Sequence, residues 1–510
     1  MSINRRNFLF GGAAAAALVG HASNKVGLRP LKPGEKRRYA MIGCGIQMRT
    51  ALLPDFLGCG KGCEALREKI EVVAVCDCDV RRRKAAAWQV NNAYGNKNCK
   101  IVADFRDIIK DPTIDAVCIA TPDHWHAYIS VEAMKHGKDV YCEKPMTYSI
   151  DEAKKVIAAQ EKYGRVFQTG SMQRSWREFR TAVMIVRNGF IGDVTSVDAN
   201  YGWKGAKRCG PSHPVRFFED AEKADKEGAP NPEVDWNMWL GPAKWRPYSD
   251  QLAPRGVNDF YPLFWRFDDD IGSGYNGDWG AHHLDIAQWG IDADASGPYR
   301  IVNSDEKPSV NLLHGGRRQV GMRMLFKKPY GDVELYHGPF GTWGTVFYGT
   351  NGVVAVNRGK IAVWQGTGPV KPTEEIRRAI EKMTFMTDKI VAESVGKDYG
   401  TDAVVKKDER LTATLDALGR TFALDKAPVQ VYRSANQVLN FCECVETRAR
   451  TISPAEVGGR SATLCLLCNM CYKYDTGFDW DPEKMEIADD GGKGLSICRD
   501  VYRNGWDIVV

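Results

Sequence analysis

Between residues 37 and 170 the apolar positions fall in short unbroken runs, separated by stretches with helical spacing. RRYAMIGCG, EVVAVCD, DAVCIATP, KDVYCEKP and RVFQTG each have the length and apolar saturation of a strand buried on both faces. Two of the segments between them have clear ends. In TYSIDEAKKVIAAQEKYG, Ser149 and Glu152 form a capping-box pattern and Gly164 marks the stop. A second helix runs from about Asp123 through HWHAYISVEAMKHG to Gly137. Strands that alternate with helices in this way predict an α/β fold built on a parallel, doubly wound sheet.

From about Gly170 the pattern changes. Strand-like segments follow one another, as in DVTSVDANYGW, QVGMRMLF, GDVELYHG and TVFYG, which predicts a second, α+β domain with a largely antiparallel sheet. Residues 203–277 are rich in Trp, Pro, Gly and Asp, and a loop region of that length with so many aromatics points to function. Ser434 to Arg450 and Arg460 to Lys473 read as helices packed back on the body. The divisions expected are a leader at 1–22, a linker at 23–37, a nucleotide-binding domain at 38–168, a second domain at 169–433 and a helical segment at 434–510.

Composition narrows the class. The chain has 510 residues, 44% hydrophobic and 26% charged, enough for two or three domains with their own cores. A net charge of +6 spread over 70 basic and 64 acidic residues, with no basic run interleaved with aromatics, argues against nucleic acid as a partner. The opening MSINRRNFLFGGAAAAALVGHAS joins Arg5 and Arg6 to a short apolar stretch and small residues near Ala22. It resembles a twin-arginine export leader, which implies the twin-arginine machinery and a periplasmic or otherwise exported protein. A frayed helix or an inner-membrane tether is the other reading. No later apolar run reaches the length of a membrane span. Of the 15 cysteines, most sit in apolar runs as small buried hydrophobes. Cys465, Cys468 and Cys471 in LCLLCNMCYK invite a zinc or iron-sulfur reading, but the same spacing lays a stripe along a helix.

The chemistry concentrates at strand ends. Gly43 and Gly45 supply the first two glycines of a dinucleotide turn, while Met48 stands where the third would be. Asp77, closing VVAVCD, is placed to bind ribose hydroxyls and favours NAD, although Arg81 and Arg82 keep NADP open. Two further strand ends carry Thr121-Pro122-Asp123-His124-Trp125-His126 and Cys142-Glu143-Lys144-Pro145. Downstream, GDWGAHHLDIAQW gathers Asp278, His282, His283 and Asp285. Adjacent histidines do not readily ligate one ion, so no metal is expected there. Four-residue spacing places Asp278 and His282 on one helical face, with His283 turned away from it.

GCG, ATPDHWHA, CEKP, GFIGDV and DWGAHHLD occur in this order along the chain. Together they resemble the glucose-fructose oxidoreductase, inositol dehydrogenase and rhizopine-catabolism family, Gfo/Idh/MocA. The resemblance implies an N-terminal Rossmann domain followed by an open-faced, mainly antiparallel sheet. It also implies NAD or NADP as cofactor, a sugar, glycoside or cyclitol as substrate, and a homo-oligomer. By position it makes Lys144 and His282 catalytic, with Asp278 orienting His282 or binding a neighbouring hydroxyl, and it places a cis peptide at Pro145. The cofactor would be met by Gly43, Gly45, Ile46, Gln47, Asp77, Thr121, Pro122, His124, His126, Glu143 and Lys144.

Substrate contacts are expected from Gln173 and Arg174, the latter also readable as a surface ion-pair partner. Trp236, Trp239, Trp245 and Trp265 could stack on sugar faces or form loop core. His283 is a substrate candidate whose other reading, shared with Asp285, is structural. The function expected is hydride transfer between a nicotinamide and a hydroxyl-bearing carbon. A redox-assisted glycoside hydrolase and a non-catalytic sugar-binding protein are the alternatives.

Overall fold

The five apolar runs of the N-terminal part all form strands. The computed structural model describes residues 29–201, 231–257, 264–268, 270–303, 322–337, 344–366, 390–394, 404–499 and 502–510. The leader, and much of the Trp-rich region between 203 and 277, lie outside those residues. The strands are β1 (Arg37–Ile42), β2 (Ile70–Cys76), β3 (Lys100–Val102), β4 (Ala116–Ile119), β5 (Asp139–Cys142) and β6 (Phe167–Thr169). They pair in parallel in the order β3-β2-β1-β4-β5-β6. Strand β3 was not apparent in the apolar pattern, because a three-residue edge strand with two exposed side chains carries little of it. The order reverses between β1 and β4, and such a switch point opens a crevice beyond the carboxyl ends of the strands.

Helix signals hold as well. Helix α1 (Val80–Tyr94) is capped by the Asp79 carboxylate, which accepts from the backbone of Arg81 and Arg82. Helix α2 (Asp123–Lys135) starts at the end of β4. In front of α3 (Ile150–Tyr163), Ser149 Oγ accepts from Glu152 N at 3.3 Å and Glu152 Oε2 from Ser149 N at 3.1 Å, and Gly164 ends the helix at φ 58°.

The second sheet is built from β7 (Val194–Asn200), β8 (Arg300–Val302), β9 (Met322–Lys328), β10 (Gly331–His337), β11 (Gly344–Gly349), β12 (Gly352–Asn357), β13 (Lys360–Gln365), β14 (Ile390–Ser394), β15 (Phe478–Asp481) and β16 (Glu486–Asp489). Its order is β14-β13-β12-β11-β7-β10-β9-β8-β15-β16, antiparallel throughout except where β7 meets β10. Helices α4 (Arg177–Arg187) and α5 (Ala281–Gly290) pack against its central strands.

Further on come α6 (Val404–Thr421), α7 (Gln437–Thr447) and α8 (Ala455–Tyr474). Helix α8 lies between the two halves, touching α3 on one side and α5 on the other. The segment after residue 434 is therefore not only helical, since β15 and β16 extend the sheet. Phe478 and Trp480 point inward between outward-facing aspartates, an alternation too short to register in sequence.

Cys465, Cys468 and Cys471 are buried on α8, and no group of three or more His, Cys, Asp or Glu among the described residues is arranged to hold a metal ion. The stripe is helix core. No described helix is long and apolar enough to cross a membrane. Because Ser149 closes a complete capping box, Ser149→Ala is expected to cost about 1 kcal/mol, read as a lower denaturant midpoint with an unchanged slope.

Candidate active site

A cavity of about 470 Å³ opens at the switch point and runs from the β1 and β2 ends to the start of α5. At its first end, Gly43 adopts φ +83°, and a Cβ there would sit 2.7 Å from the Ala120 backbone. Only glycine lets β1 turn so close to β4. A Cβ on Gly45 would meet nothing within 4 Å, leaving that side of the turn clear for a ligand. Met48 is fully buried, and the helix here runs as a π turn over Met48–Leu52, with Leu53 N donating to Met48 O. The wider turn accommodates a side chain where the third glycine would let the helix lie flat on the sheet.

Asp77 lines the cavity at the end of β2. Its Oδ2 accepts from Cys44 N at 2.7 Å and its Oδ1 from Asp79 N at 2.8 Å, so it ties the glycine turn to the start of α1. Burial raises its pKa against the pull of those bonds. Ile46, Gln47, Thr121, Pro122, His126 and Glu143 also line the cavity. Gln47 Nε2 donates to Glu143 Oε1 at 3.2 Å, and the His126 ring spans the β4 and β5 ends, 2.9 Å from Thr121 O and 2.7 Å from Pro145 O. His124 departs from expectation. It does not line the cavity; its Nε2 meets Trp239 O at 3.1 Å, and burial pushes its pKa down to about 3.

At the other end, the Lys144-Pro145 peptide is cis. Lys144 Nζ donates to Asp278 Oδ1 at 2.6 Å and to the Asp278 carbonyl at 3.0 Å. Asp278 belongs to a second π turn, Asn276–Gly280, which leads into α5. Its Oδ2 lies 3.3 Å from Arg266 Nε. Burial alone would raise the Asp278 pKa, but Arg266 and Lys144 outweigh it and hold the carboxyl well below its usual range.

His282 lines the same end of the cavity, its ring edge-on to Trp279 at 5.7 Å and its Nδ1 buried without a hydrogen-bond partner. Burial, then Arg358, Lys144 and His283, push its pKa well below the usual value, so the imidazole is neutral. The expected orientation of His282 by Asp278 is not what the structure shows, since Lys144 and Arg266 hold that carboxylate. The reason is electrostatic: two cations, Lys144 and Arg266, take up the Asp278 carboxylate oxygens, and His282 Nδ1 is left without a hydrogen-bond partner.

Several substrate candidates fall elsewhere. Gln173 is buried off the cavity, its Nε2 donating to His282 O at 3.2 Å and its Oε1 accepting from Arg358 Nε at 2.9 Å. Arg174 is 1% exposed, with Nε 2.8 Å from Asp285 Oδ2 and Nη2 2.7 Å from Asp294 Oδ1. It is an ion-pair partner, but deep inside the protein rather than at the surface. His283 is a structural residue, stacked between the rings of Tyr201 and Trp279, and burial lowers its pKa to about 3.

Among the tryptophans, Trp236 stacks on Trp239 at 4.7 Å and donates to Arg246 O, which makes it loop core. Trp239 and Trp265 do line the cavity, while Trp245 is 61% exposed. Sequence reasoning missed Arg266 and Arg358. Arg358 sits in the turn between β12 and β13, its guanidinium over the rings of Trp279 at 4.7 Å and Trp176 at 5.3 Å. Nothing in VAVNRGKIA marks it, because only the sheet topology brings that hairpin to the cavity.

The chain is similar to an inositol 2-dehydrogenase of Rubrobacter xylanophilus, 34% identical over 122 residues, 24% of this chain and 33% of that one. It is also similar to a glycosyl hydrolase family 109 protein of Shewanella baltica, 26% identical over 213 residues, 39% of this chain and 46% of that one. Both matches span less than half of the relative. Among solved structures, the aldose-aldose oxidoreductase from Caulobacter crescentus complexed with glycerol superposes with a TM-score of 0.50, covering 87% of this chain and 100% of that one at 16% identity. That likeness speaks for the fold. Residues 37–171 match the model of the Gfo/Idh/MocA oxidoreductase family's NAD-binding Rossmann fold, and residues 215–320 match that of its C-terminal alpha/beta domain.

Proposed function

We propose that the protein is an NAD-dependent oxidoreductase that moves a hydride between nicotinamide and a hydroxyl-bearing carbon of a sugar, glycoside or cyclitol. The observation that carries this reading is the Lys144 ammonium, held 2.6 Å from Asp278 Oδ1 beside a neutral His282, in the same cavity as the glycine turn and Asp77. These residues fit a dinucleotide. The open side of Gly45 suits a pyrophosphate, and Asp77 suits the adenosine ribose.

When bound, the nicotinamide supplies the hydride acceptor. Lys144 donates a hydrogen bond to the reacting oxygen and stabilises the alkoxide charge that develops there. His282 takes the hydroxyl proton on Nε2, because Nδ1 is buried away from solvent. Asp278 holds Lys144 in place, and Trp239 and Trp265 offer flat apolar faces to a ring.

Arginine placement favours NAD over NADP. Arg81 pairs with Asp79 and Glu233, both at 2.9 Å. Arg82 lies 3.3 Å from Asp79 and donates to Pro254 O at 3.0 Å and Gly256 O at 3.2 Å. A ribose phosphate would have to displace these partners and approach two carboxylates. Mass spectrometry of protein purified without added cofactor, with titration of both dinucleotides, is expected to find NAD bound at least about tenfold more tightly than NADP.

The test of activity is a panel of myo-inositol, free aldoses and nitrophenyl glycosides with NAD. Formation of NADH supports a dehydrogenase. The likeness to the Shewanella baltica glycosyl hydrolase family 109 protein favours a second reading, redox-assisted glycoside cleavage, which release of nitrophenol without net NADH would select. In either case Lys144→Ala is expected to lower kcat about 10²–10³-fold with little change in NAD affinity. Unchanged turnover would remove Lys144 from the mechanism.

The base gives a pH signature. His282 must be neutral to accept a proton, and its lowered pKa keeps it neutral well into acid. Arg358→Met removes a like charge and so raises the His282 pKa. The acid limb of kcat/KM against pH is expected to move to higher pH, by up to about one unit.

A further inference from the structure

The cysteine-bearing helix α8 passes behind the π turn that carries Asp278, and its Asn469 faces that turn. Asn469 Nδ2 donates to Ser273 O at 2.8 Å, and its Oδ1 accepts from Asn276 Nδ2 at 2.8 Å. One amide thus bridges the residues leading into the turn. On the far side of Asn276, Tyr201 Oη donates to Asn276 Oδ1 at 2.9 Å, with both residues buried. Two glycines close the remaining space: a Cβ on Gly277 would lie 2.3 Å from Ser273 Cβ and 3.2 Å from Pro145 Cγ, and one on Gly280 would lie 2.9 Å from Tyr201 Oη. The turn is therefore held between α8, Tyr201 and Pro145.

Two residues beyond Asn276, Asp278 meets Lys144 through its backbone carbonyl as well as its carboxylate. A carbonyl oxygen goes where the backbone goes, whereas a carboxylate alone could follow the ammonium by rotating. We infer that Asn469 is a positioning residue: through Ser273 and Asn276 it fixes the π turn, so that both oxygens of Asp278 reach the Lys144 ammonium. Its effect on turnover rests on the role given to Lys144 above; the geometry stands without that role.

The test is pulsed acetylation of the full chain with acetic anhydride, followed by peptide mass spectrometry. An amine held against two oxygens reacts slowly. Lys138 is the internal control, a buried lysine donating to Ile114 O at 2.8 Å in the Rossmann domain; Lys484, 72% exposed, is the standard. Asn469→Leu is expected to raise Lys144 labelling about three- to tenfold with Lys138 unchanged. Asp278→Asn should do the same, and the double variant should add nothing, as coupled sites are non-additive. Tyr201→Phe, which removes a single hydroxyl, should act in the same direction but less strongly, and it serves as the test if Asn469→Leu does not fold.

Lys144 unchanged in these variants, Lys138 rising in step with Lys144, or an additive double variant would each overturn the inference. On a panel compound that turns over, Asn469→Leu should lower kcat with KM nearly constant. A rise in labelling with kcat intact would uphold the positioning and count instead against Lys144 as catalytic.

Discussion

The ion pair between Lys144 and Asp278 joins the two halves of the protein at the point where chemistry is proposed. Lys144 follows a strand of the parallel sheet, and Asp278 arrives on the turn that opens a helix packed on the other sheet. Neither charge is well solvated, and a buried charge that loses its partner carries an uncompensated desolvation cost. The pair therefore favours the relative placement of the halves that brings it together. Arg266 on the second carboxylate oxygen makes the arrangement a triad with two cations on one anion.

Around this triad the buried histidines divide by what surrounds them. His282 and His283 are adjacent in sequence and both neutral, yet one edge-stacks at the cavity and the other is enclosed between rings. His124 and His126 lie two apart, and only His126 lines the cavity, because a helix turns neighbouring side chains to different sides. The same burial lowers the pKa of all four, and only His282 and His126 reach the cavity.

The parallel sheet was legible because each of its long strands is buried on both faces and so is written as an uninterrupted apolar run. The capping box at Ser149 was legible because its two partners are three residues apart. Lys144, Asp278 and the glycine turn stood out through their motifs. What sequence could not reveal depends on distant chain segments: Arg358 approaches from a hairpin whose position is set by sheet order, and Arg174 faces Asp285 and Asp294 only once α5 has docked. The expected pairing of Asp278 with His282 gave way to two cations that local spacing does not place beside that carboxylate, Lys144 and Arg266. Strands β15 and β16 were hidden by their shortness.

Those two late strands also bear on how the protein is made. The parallel sheet draws all its strands from residues 37–169, and most of its contacts can form while the rest of the chain is still being synthesised. The second sheet cannot be completed on that schedule, because β8 has β15 as its outer neighbour and α8 must first pass between the halves. Until the region beyond residue 455 emerges, β8 is a bare edge and the inner faces of α3 and α5 lack their cover. An unpaired strand edge beside apolar surface is what aggregation and chaperones both recognise. Before residues 455–481 are in place, a nascent molecule thus carries an open sheet edge and two uncovered helix faces at once.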